Sequence, residues 1–224
     1  MNIIISIIYL LISFSLTILC YKKFGKIGLY IWMCLSVIIC NIQTIKISEM
    51  FGLVISLGNI SYGSIFLTTD ILSEKYGEKD TKQAINLSFL TMIIFSLFMW
   101  IFLKYTPSSV DNSQEALETI FSYIPRITIG SMLAYYISQN IDARLYRFLK
   151  NKFNKIWISN NISTLISQII DTLIFVTISF FGLMTNQEII ELIFTMILFK
   201  VIIAALDTPF IYIASKFKEV EEIE

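Results

Sequence analysis

The sequence predicts an all-α integral membrane protein, a polytopic helical bundle. Of its 224 residues, 56% are hydrophobic, and the mean hydropathy of +0.73 lies far above that of a soluble domain. Apolar runs of about 20 residues recur along the whole chain, and this is the length that a helix needs to cross ~30 Å of hydrocarbon. The net charge is zero, so the composition indicates no nucleic-acid partner and no strongly acidic one.

Seven apolar segments are long enough to span a bilayer. The first is followed by Lys22, Lys23 and Lys26, whereas a cleavable signal peptide carries its positive charge before the apolar segment. We therefore expect a first transmembrane helix and no signal peptide. The third segment is the least hydrophobic, because glycines, serines and Asn59 crowd into it, and such residues allow close helix packing or a local break. The predicted spans are residues 3–21, 28–45, 52–72, 84–103, 121–141, 157–182 and 189–213.

The basic residues predict the orientation of these spans. Thirteen of the 17 Lys and Arg residues lie in alternate loops (22–26, 75–82 and 144–155) and in the tail at 216–218. By the positive-inside rule these segments are cytoplasmic. Seven spans then place the amino terminus outside the cell and the carboxyl terminus in the cytoplasm.

The residue content excludes several kinds of site. The chain has no His, so a histidine proton relay, a histidine metal site and a Ser-His-Asp triad are excluded. Cys20, Cys34 and Cys40 lie in apolar runs without metal-ligand spacing, and we expect them to pack as small hydrophobic residues. There is no P-loop, so the chain itself does not hydrolyse ATP. We expect no enzyme, no metal site and no cofactor.

Two carboxylates in the third segment are the strongest indication of function. Asp70 and Glu74 are four residues apart, hence on one helix face, in an apolar run that ends at Tyr76-Gly77. A carboxylate within a membrane segment is costly to desolvate, so it indicates a functional site.

Further ionisable residues lie inside other predicted spans. A charge at the centre of a membrane helix costs ~2.5–3.5 kcal/mol, so these side chains should face a cavity or each other, and structural ion pairing is the alternative for some of them. They are Lys46, Arg126, Asp171, Lys200 and Asp207.

The pattern S-Q-x-x-D occurs twice, at 138–142 and at 167–171. Gln and Asp three residues apart share a helix face, so each copy presents an amide and a carboxylate together. The recurrence is either chance or a structural repeat whose two copies face one cavity, as often occurs in transporter folds.

Carboxylates and amides suit a planar heterocycle with adjacent N–H groups, such as a guanine-like edge. Phe66, Tyr62, Tyr135 and Tyr136 are candidates for a stacking surface, with ordinary packing as the alternative.

Ordered motifs extend over roughly residues 38–210. They are Asn41 with Lys46, the run from Asp70 to Gly77, Arg126-Ile-x-x-Gly130-Ser-x-x-Ala134-Tyr135, the two S-Q-x-x-D copies, Asn160-Asn161-x-Ser163-Thr164-Leu165 before the second copy, and Phe199-Lys200. In this order they resemble the family of queuosine precursor transporters, also called the VUT family.

The resemblance implies a small carrier of the bacterial cytoplasmic membrane that imports 7-deazaguanine bases, such as queuine and its precursors, for tRNA modification. It also implies six spans with both ends cytoplasmic. This chain adds the helix at 3–21, and many members have Phe-Pro where it has Tyr62-Gly63. Residues 1–27 would then form an extra helix with its basic loop, residues 28–216 the transporter bundle, and residues 217–224 an acidic cytoplasmic tail.

The expected partners are the deazapurine substrate and the lipid bilayer, with no nucleic acid. The oligomeric state stays open, a homodimer being one alternative. A second functional hypothesis is a membrane subunit that binds a vitamin or purine and requires an ATP-driven energising partner.

We place the predicted substrate site between the third, fifth and sixth spans. There Asp70 and Asp171 would bind the base edge or its amine, Gln139 and Gln168 would recognise exocyclic groups, and Arg126 and Lys200 would balance charge. Glu74 would act in gating or proton coupling at the cytoplasmic end. The full predicted set is Asn41, Phe66, Asp70, Arg126, Gln139, Gln168, Asp171 and Lys200 for substrate binding, with Glu74 and Asp207 for gating or proton coupling.

Overall fold

The computed structural model describes residues 2–50, 52–153 and 156–217. Within these ranges it leaves out the side chains of 139, 142–143, 146–147, 150, 156–161, 164, 204–205 and 208. Apart from Phe217, the predicted acidic tail lies outside the described residues. The elements in chain order are helix α1 (Asn2–Thr44), strands β1 (Ile47–Met50) and β2 (Leu53–Ser56), and helices α2 (Gly58–Phe102), α3 (Gln114–Phe121), α4 (Ile124–Phe153), α5 (Ile156–Phe180) and α6 (Asn186–Ser215).

Helix α1 is broken at Gly25, where φ is 56° and ψ is −135°. Only glycine adopts this conformation readily, because a Cβ atom would clash with the backbone. The amide of Asn2 donates hydrogen bonds to Ser48 Oγ (3.1 Å) and to the carbonyl of Glu49 (3.2 Å). The start of α1 therefore lies beside the strand that follows its end, and its two halves, residues 2–24 and 26–44, run antiparallel.

Helix α2 is broken in the same way at Gly77, where φ is 83° and ψ is 179°. Just beyond this break, Asp80 forms an ion pair with Lys26 (3.2 Å) and accepts a hydrogen bond from the Tyr30 hydroxyl (2.9 Å). The Tyr30 hydroxyl, with the Lys26 ammonium, holds the pKa of Asp80 below its usual range. These contacts attach the break in α2 to the break in α1.

The first half of α2 packs closely on α1 and on the carboxyl-terminal half of α6. Gly63 allows this approach, because a Cβ atom there would lie 2.8 Å from Ile203 of α6 and 3.0 Å from Leu10 of α1. Leu10, Phe14 and Ile203 are themselves buried in the same hydrophobic core. Gly63 therefore allows α2 to pack closely among its neighbours.

Helices α1 and α2 are each long and apolar enough to cross a membrane. Only 22% of the most apolar stretch of α1 and 17% of that of α2 is buried, whereas the core helix of a soluble protein is mostly buried. Large hydrophobic side chains cover the outer surface of both, for example Ile4, Ile8, Leu90 and Phe98. Such a continuous exposed apolar surface is suited to contact with lipid, as in a helical membrane protein.

The structure corrects the prediction that a helix begins at residue 52 and adds one short hairpin to a chain that is mostly helical. Strands β1 and β2 form an antiparallel hairpin in which Met50 pairs with Leu53 and Ile47 pairs with Ser56. Gly52, with a φ of 73°, supplies the turn conformation, and the Ser56 hydroxyl donates to the carbonyl of Thr44 (2.8 Å). The helix begins only at Gly58. The short helix α3 begins between the predicted spans 84–103 and 121–141.

The chain divides into two compact units. The first unit comprises Met1–Pro125 and Leu198–Glu224, and the second comprises Arg126–Ile197. In the second unit α4 approaches α5 closely, since a Cβ atom on Gly130 would lie 2.7 Å from Ser179 Oγ.

Helix α6 begins in the second unit with a capping box. Glu188 accepts hydrogen bonds from the backbone N–H of Thr185 (2.8 Å) and from its hydroxyl (2.7 Å). These two bonds hold the pKa of Glu188 below its usual range.

We expect Gly77→Ala to destabilise the protein, because the backbone at Gly77 occupies a region that costs roughly 1–3 kcal/mol for other residues. The apparent melting temperature of the purified protein in detergent should fall by several degrees. Ser73→Ala, at an exposed position of the same helix, is the control and should leave the melting temperature unchanged. A Gly77→Ala variant as stable as the parent would show that the break in α2 does not require glycine.

Candidate functional site

One face of the first half of α2 carries a row of polar and aromatic side chains. Asn59, Tyr62, Phe66, Asp70 and Glu74 follow one another at spacings of three or four residues, so all five lie on the same face. We call this row the α2 stripe. It extends from the start of the helix to the turn before Gly77. The predicted proximity of Asp70 and Glu74 on one helix face is confirmed.

The middle of the α2 stripe is aromatic. The rings of Tyr62 and Phe66 are half-buried, and they meet edge to face with centroids 4.7 Å apart. Such a pair has a fixed geometry, because each ring holds the other in place. The carboxylates of Asp70 and Glu74, further along, are exposed within the first unit.

Helix α6 lies alongside the α2 stripe and adds two buried ionisable groups. The ammonium of Lys200 is 5.6 Å from the centroid of the Tyr62 ring, a cation–π distance. Lys200 is 9% exposed and Asp207 is 2% exposed. Asp207 lies close enough to Asp70 for the two charges to interact. Lys200 is thus near the aromatic part of the α2 stripe, and Asp207 is near its acidic part.

The carboxyl-terminal end of α6 is attached to α2 by Lys75. Its ammonium donates to the carbonyls of Ser215 (2.8 Å) and Phe217 (3.2 Å). A cation at the last carbonyls of a helix satisfies otherwise unpaired acceptors and interacts favourably with the helix dipole. This contact holds the acidic end of the α2 stripe beside α6.

The second half of α1 contributes Asn41, which is 5% exposed. Its amide nitrogen donates to the carbonyl of Val37 (2.8 Å). The neighbouring Cys40 donates from Sγ to the carbonyl of Gly58 (3.3 Å) and lies within electrostatic range of Lys200. Six of the ten predicted residues therefore belong to the first unit, on α1, α2 and α6: Asn41, Phe66, Asp70, Glu74, Lys200 and Asp207.

The other four belong to the second unit. The Ser138 hydroxyl, from the first S-Q-x-x-D copy, lies 3.4 Å from Asp171 Oδ1, from the second copy. The two copies are thus neighbours on adjacent helices. The carbonyl oxygen of Gln168 is buried and has no hydrogen-bond partner among the described residues. The side chain of Gln139 lies outside the described residues.

Arg126 contacts the end of α5. Its Nε donates to the carbonyl of Ile178 (2.6 Å), and a terminal guanidinium nitrogen donates to the carbonyl of Phe181. Both acceptors belong to the last turn of α5 and the residue after it, where carbonyls lack intrahelical partners. These bonds give Arg126 a structural role in the second unit, and its role in substrate binding stays a prediction.

Asn59 and Lys75 were not among the predicted site residues. The spacing of Asn59 to Tyr62 and Asp70 is visible in the sequence. However, the helix was expected to begin at residue 52, so the sequence did not show that Asn59 lies in the first turn of α2. Nothing local indicated that Lys75 would reach Ser215, which is 140 residues away. In the part of the chain that the structure describes, no three Cys, Asp or Glu side chains come together as a metal site requires.

We expect Arg126→Gln to lower the free energy of unfolding by about 2 kcal/mol, since hydrogen bonds from a charged donor contribute about 1.5–3 kcal/mol each. Thermal unfolding of the purified protein measures this effect. Arg144→Gln, at an exposed position of the same helix, is the control. Unchanged stability together with lost transport would instead assign Arg126 to the substrate.

Comparisons with known proteins agree with the sequence motifs. Residues 56–214 match a family model described as "Putative vitamin uptake transporter". A "Probable queuosine precursor transporter" of Bacillus subtilis (strain 168) is 37% identical over 213 residues, which are 94% of this chain and 93% of that protein. A protein of the same name from Haemophilus influenzae is 24% identical over 124 residues, 55% of this chain and 51% of that protein. No solved structure gives a significant match. A family model that matches most of the chain, with a relative aligned over nearly all of it, confirms the resemblance: the chain belongs to the family of queuosine precursor transporters.

Proposed function

We propose that this protein imports queuosine precursors, namely queuine or other 7-deazaguanine bases, across the bacterial cytoplasmic membrane for queuosine modification of tRNA. The observation that carries the proposal is the 37% identity to the Bacillus subtilis protein over 94% of the chain. The α2 stripe supports it, because Asn59, Tyr62 and Phe66 are buried or half-buried on a helix whose outer surface is apolar, and the two carboxylates follow on the same face.

The proposed arrangement in the membrane has seven spans. The two halves of α1, the two halves of α2, and helices α4, α5 and α6 would each cross once. The breaks at Gly25 and Gly77 support this count, because a segment of about 20 residues is long enough to cross the hydrocarbon core. The distribution of Lys and Arg supports an amino terminus outside the cell and a carboxyl terminus in the cytoplasm. The first half of α1 is then the extra helix, and the rest forms the six-span bundle.

In this proposal the base stacks against the aromatic part of the α2 stripe. Tyr62 and Phe66 offer ring surface, and the ammonium of Lys200 lies at a cation–π distance from the Tyr62 ring. Asp70 accepts hydrogen bonds from the N–H groups or the amine of the substrate, since an ionised carboxylate is an acceptor for two donors at once. The recognition roles of Asp171, Gln139 and Gln168, which belong to the second unit, stay predictions from the sequence.

The pair Asp70 and Asp207 supports a role in coupling. Two carboxylates within interaction range repel one another, and the repulsion is strong where water is scarce. A proton or an ammonium group of the substrate relieves it. Asp207, together with Glu74 near the break in α2, would therefore link substrate binding to gating or proton movement. The alternative of a subunit that needs an ATP-driven partner has no support in the names of the relatives, which are those of transporters.

The proposal predicts that Asp70→Asn reduces uptake at least about tenfold, since a hydrogen bond to a charged group contributes about 1.5–3 kcal/mol. The test uses cells that lack precursor synthesis and their own carrier and that express the variant. Queuosine in tRNA is measured after each candidate base has been supplied separately at low concentration. Asp111→Asn, in the exposed segment before α3, is the matched control.

The parent protein should restore queuosine with at least one base, and Asp111→Asn should do the same. No restoration by the parent, with the protein detected in the membrane, would contradict import by this chain alone. Equal uptake by Asp70→Asn and the parent would remove Asp70 from the proposed site.

A further inference from the structure

Two buried carboxamides in the first unit each have a polar atom that no described residue pairs with. Asn59 and Asn41 are each 5% exposed. Among the described residues, neither the amide nitrogen of Asn59 nor the carbonyl oxygen of Asn41 has a hydrogen-bond partner. Buried polar atoms are nearly always satisfied, because leaving one unpaired in an apolar interior is costly. The two atoms are thus open positions for a ligand.

The two asparagines lie beside the same helix contact. The thiol of Cys40 donates to the carbonyl of Gly58, and a Cβ atom on Gly58 would lie 2.9 Å from the carbonyl oxygen of Cys40. Asn41 and Asn59 are the next residues along the chain from this contact on their respective helices. Both therefore belong to one small region between α1 and α2.

Other polar groups of this region are paired with one another. The Ser61 hydroxyl bonds to the Gln43 side chain and lies 3.2 Å from the Tyr9 hydroxyl. The Thr44 hydroxyl donates to the carbonyl of Cys40 (2.8 Å). Because these hydroxyls are satisfied, apolar residues in place of Asn41 and Asn59 would make the region more stable. Packing and stability therefore do not explain the two amides.

The chemistry of the two open atoms is complementary. The amide nitrogen of Asn59 donates a hydrogen bond, and the carbonyl oxygen of Asn41 accepts one. A lactam edge, a ring C=O beside a ring N–H, satisfies both. We propose that Asn59 is a substrate-binding residue that donates to the ring carbonyl of the 7-deazaguanine base, while Asn41 accepts from the adjacent N–H. This inference rests on the proposed function and specifies which edge of the base is recognised.

The α2 stripe also indicates how the substrate is oriented along α2. Tyr62, one turn after Asn59, is placed to stack on the ring. Asp70 is eleven residues after Asn59, about 16 Å along the helix axis, which is too far for both to bind the same ring edge. The lactam edge therefore points to the start of α2, and the substituent of the deazapurine, where it carries an amine, points to Asp70.

The test compares Asn59→Leu with the parent for two bases: the 7-deazaguanine base that the parent imports, and its analogue with hydrogen in place of the ring oxygen. We expect the parent to prefer the oxo base. Asn59→Leu should raise the KM for the oxo base about tenfold and leave that of the analogue nearly unchanged, because only the oxo base loses a hydrogen bond. The preference for the oxo base should therefore fall about tenfold, and the part of it that comes from Asn41 should remain, because the analogue also lacks the adjacent ring N–H.

A purely structural role for Asn59 would make Asn59→Leu less thermally stable than the parent, whereas the proposal expects no loss of stability. Since leucine removes an unsatisfied buried donor, Asn59→Leu should be at least as thermally stable as the parent. Asn86→Leu, at an exposed position of the second half of α2, is the matched control and should retain both KM values. If Asn59→Leu does not reach the membrane, Asn59→Asp, which has the same shape and lacks the donor, replaces it and is judged in the same way.

An unchanged KM for the oxo base and an unchanged preference would overturn the inference while the proposed function stands. Import of neither base by the parent would overturn the proposed function and this inference with it.

Discussion

The close approach of the first half of α2 to α1 and α6 is the constraint on which the candidate site depends. It requires small residues at Gly58 and Gly63, since a Cβ atom at either position would overlap neighbouring atoms. In lipid the hydrophobic effect does not drive one apolar helix against another, so such helices associate through close packing and polar contacts. The α2 stripe has buried neighbours on α1 and α6 because the glycine-containing face of the same helix fits against these helices.

The charged residues of the first unit serve two different purposes, which their contacts separate. Lys75 and Lys26 are engaged at the ends of helices, with the last carbonyls of α6 and with Asp80. Lys200 and Asp207 lie deeper, beside an aromatic ring and within range of another carboxylate. The first kind of contact fixes the helix ends. The second kind occurs where a charge is expensive to bury, and it is the kind that a ligand or a proton can change.

The sequence predicted most helical segments and the shared face of Asp70 and Glu74, because hydropathy and helical spacing are local properties. It did not predict the hairpin at 47–56, since a strand of four residues is too short for its alternation of side chains to be told apart from the start of a helix. It also did not predict the partners of Arg126. The sequence shows that a charge lies in a span, but its acceptor, Ile178, is 52 residues away, and only the packing of α4 on α5 brings the two together.

The same limit explains why Asn59 became a candidate only in the structure. In the sequence it is one of several small polar residues that suit close helix packing, and packing accounts for most of them: Ser61, Ser64 and Thr68 all have hydrogen-bond partners in the structure. A serine or threonine in a membrane helix satisfies its hydroxyl on the carbonyl of the preceding turn, so its burial costs little. A carboxamide has both a donor and an acceptor to satisfy. A buried asparagine whose donor stays unpaired therefore carries more information about a ligand than the hydroxyls around it.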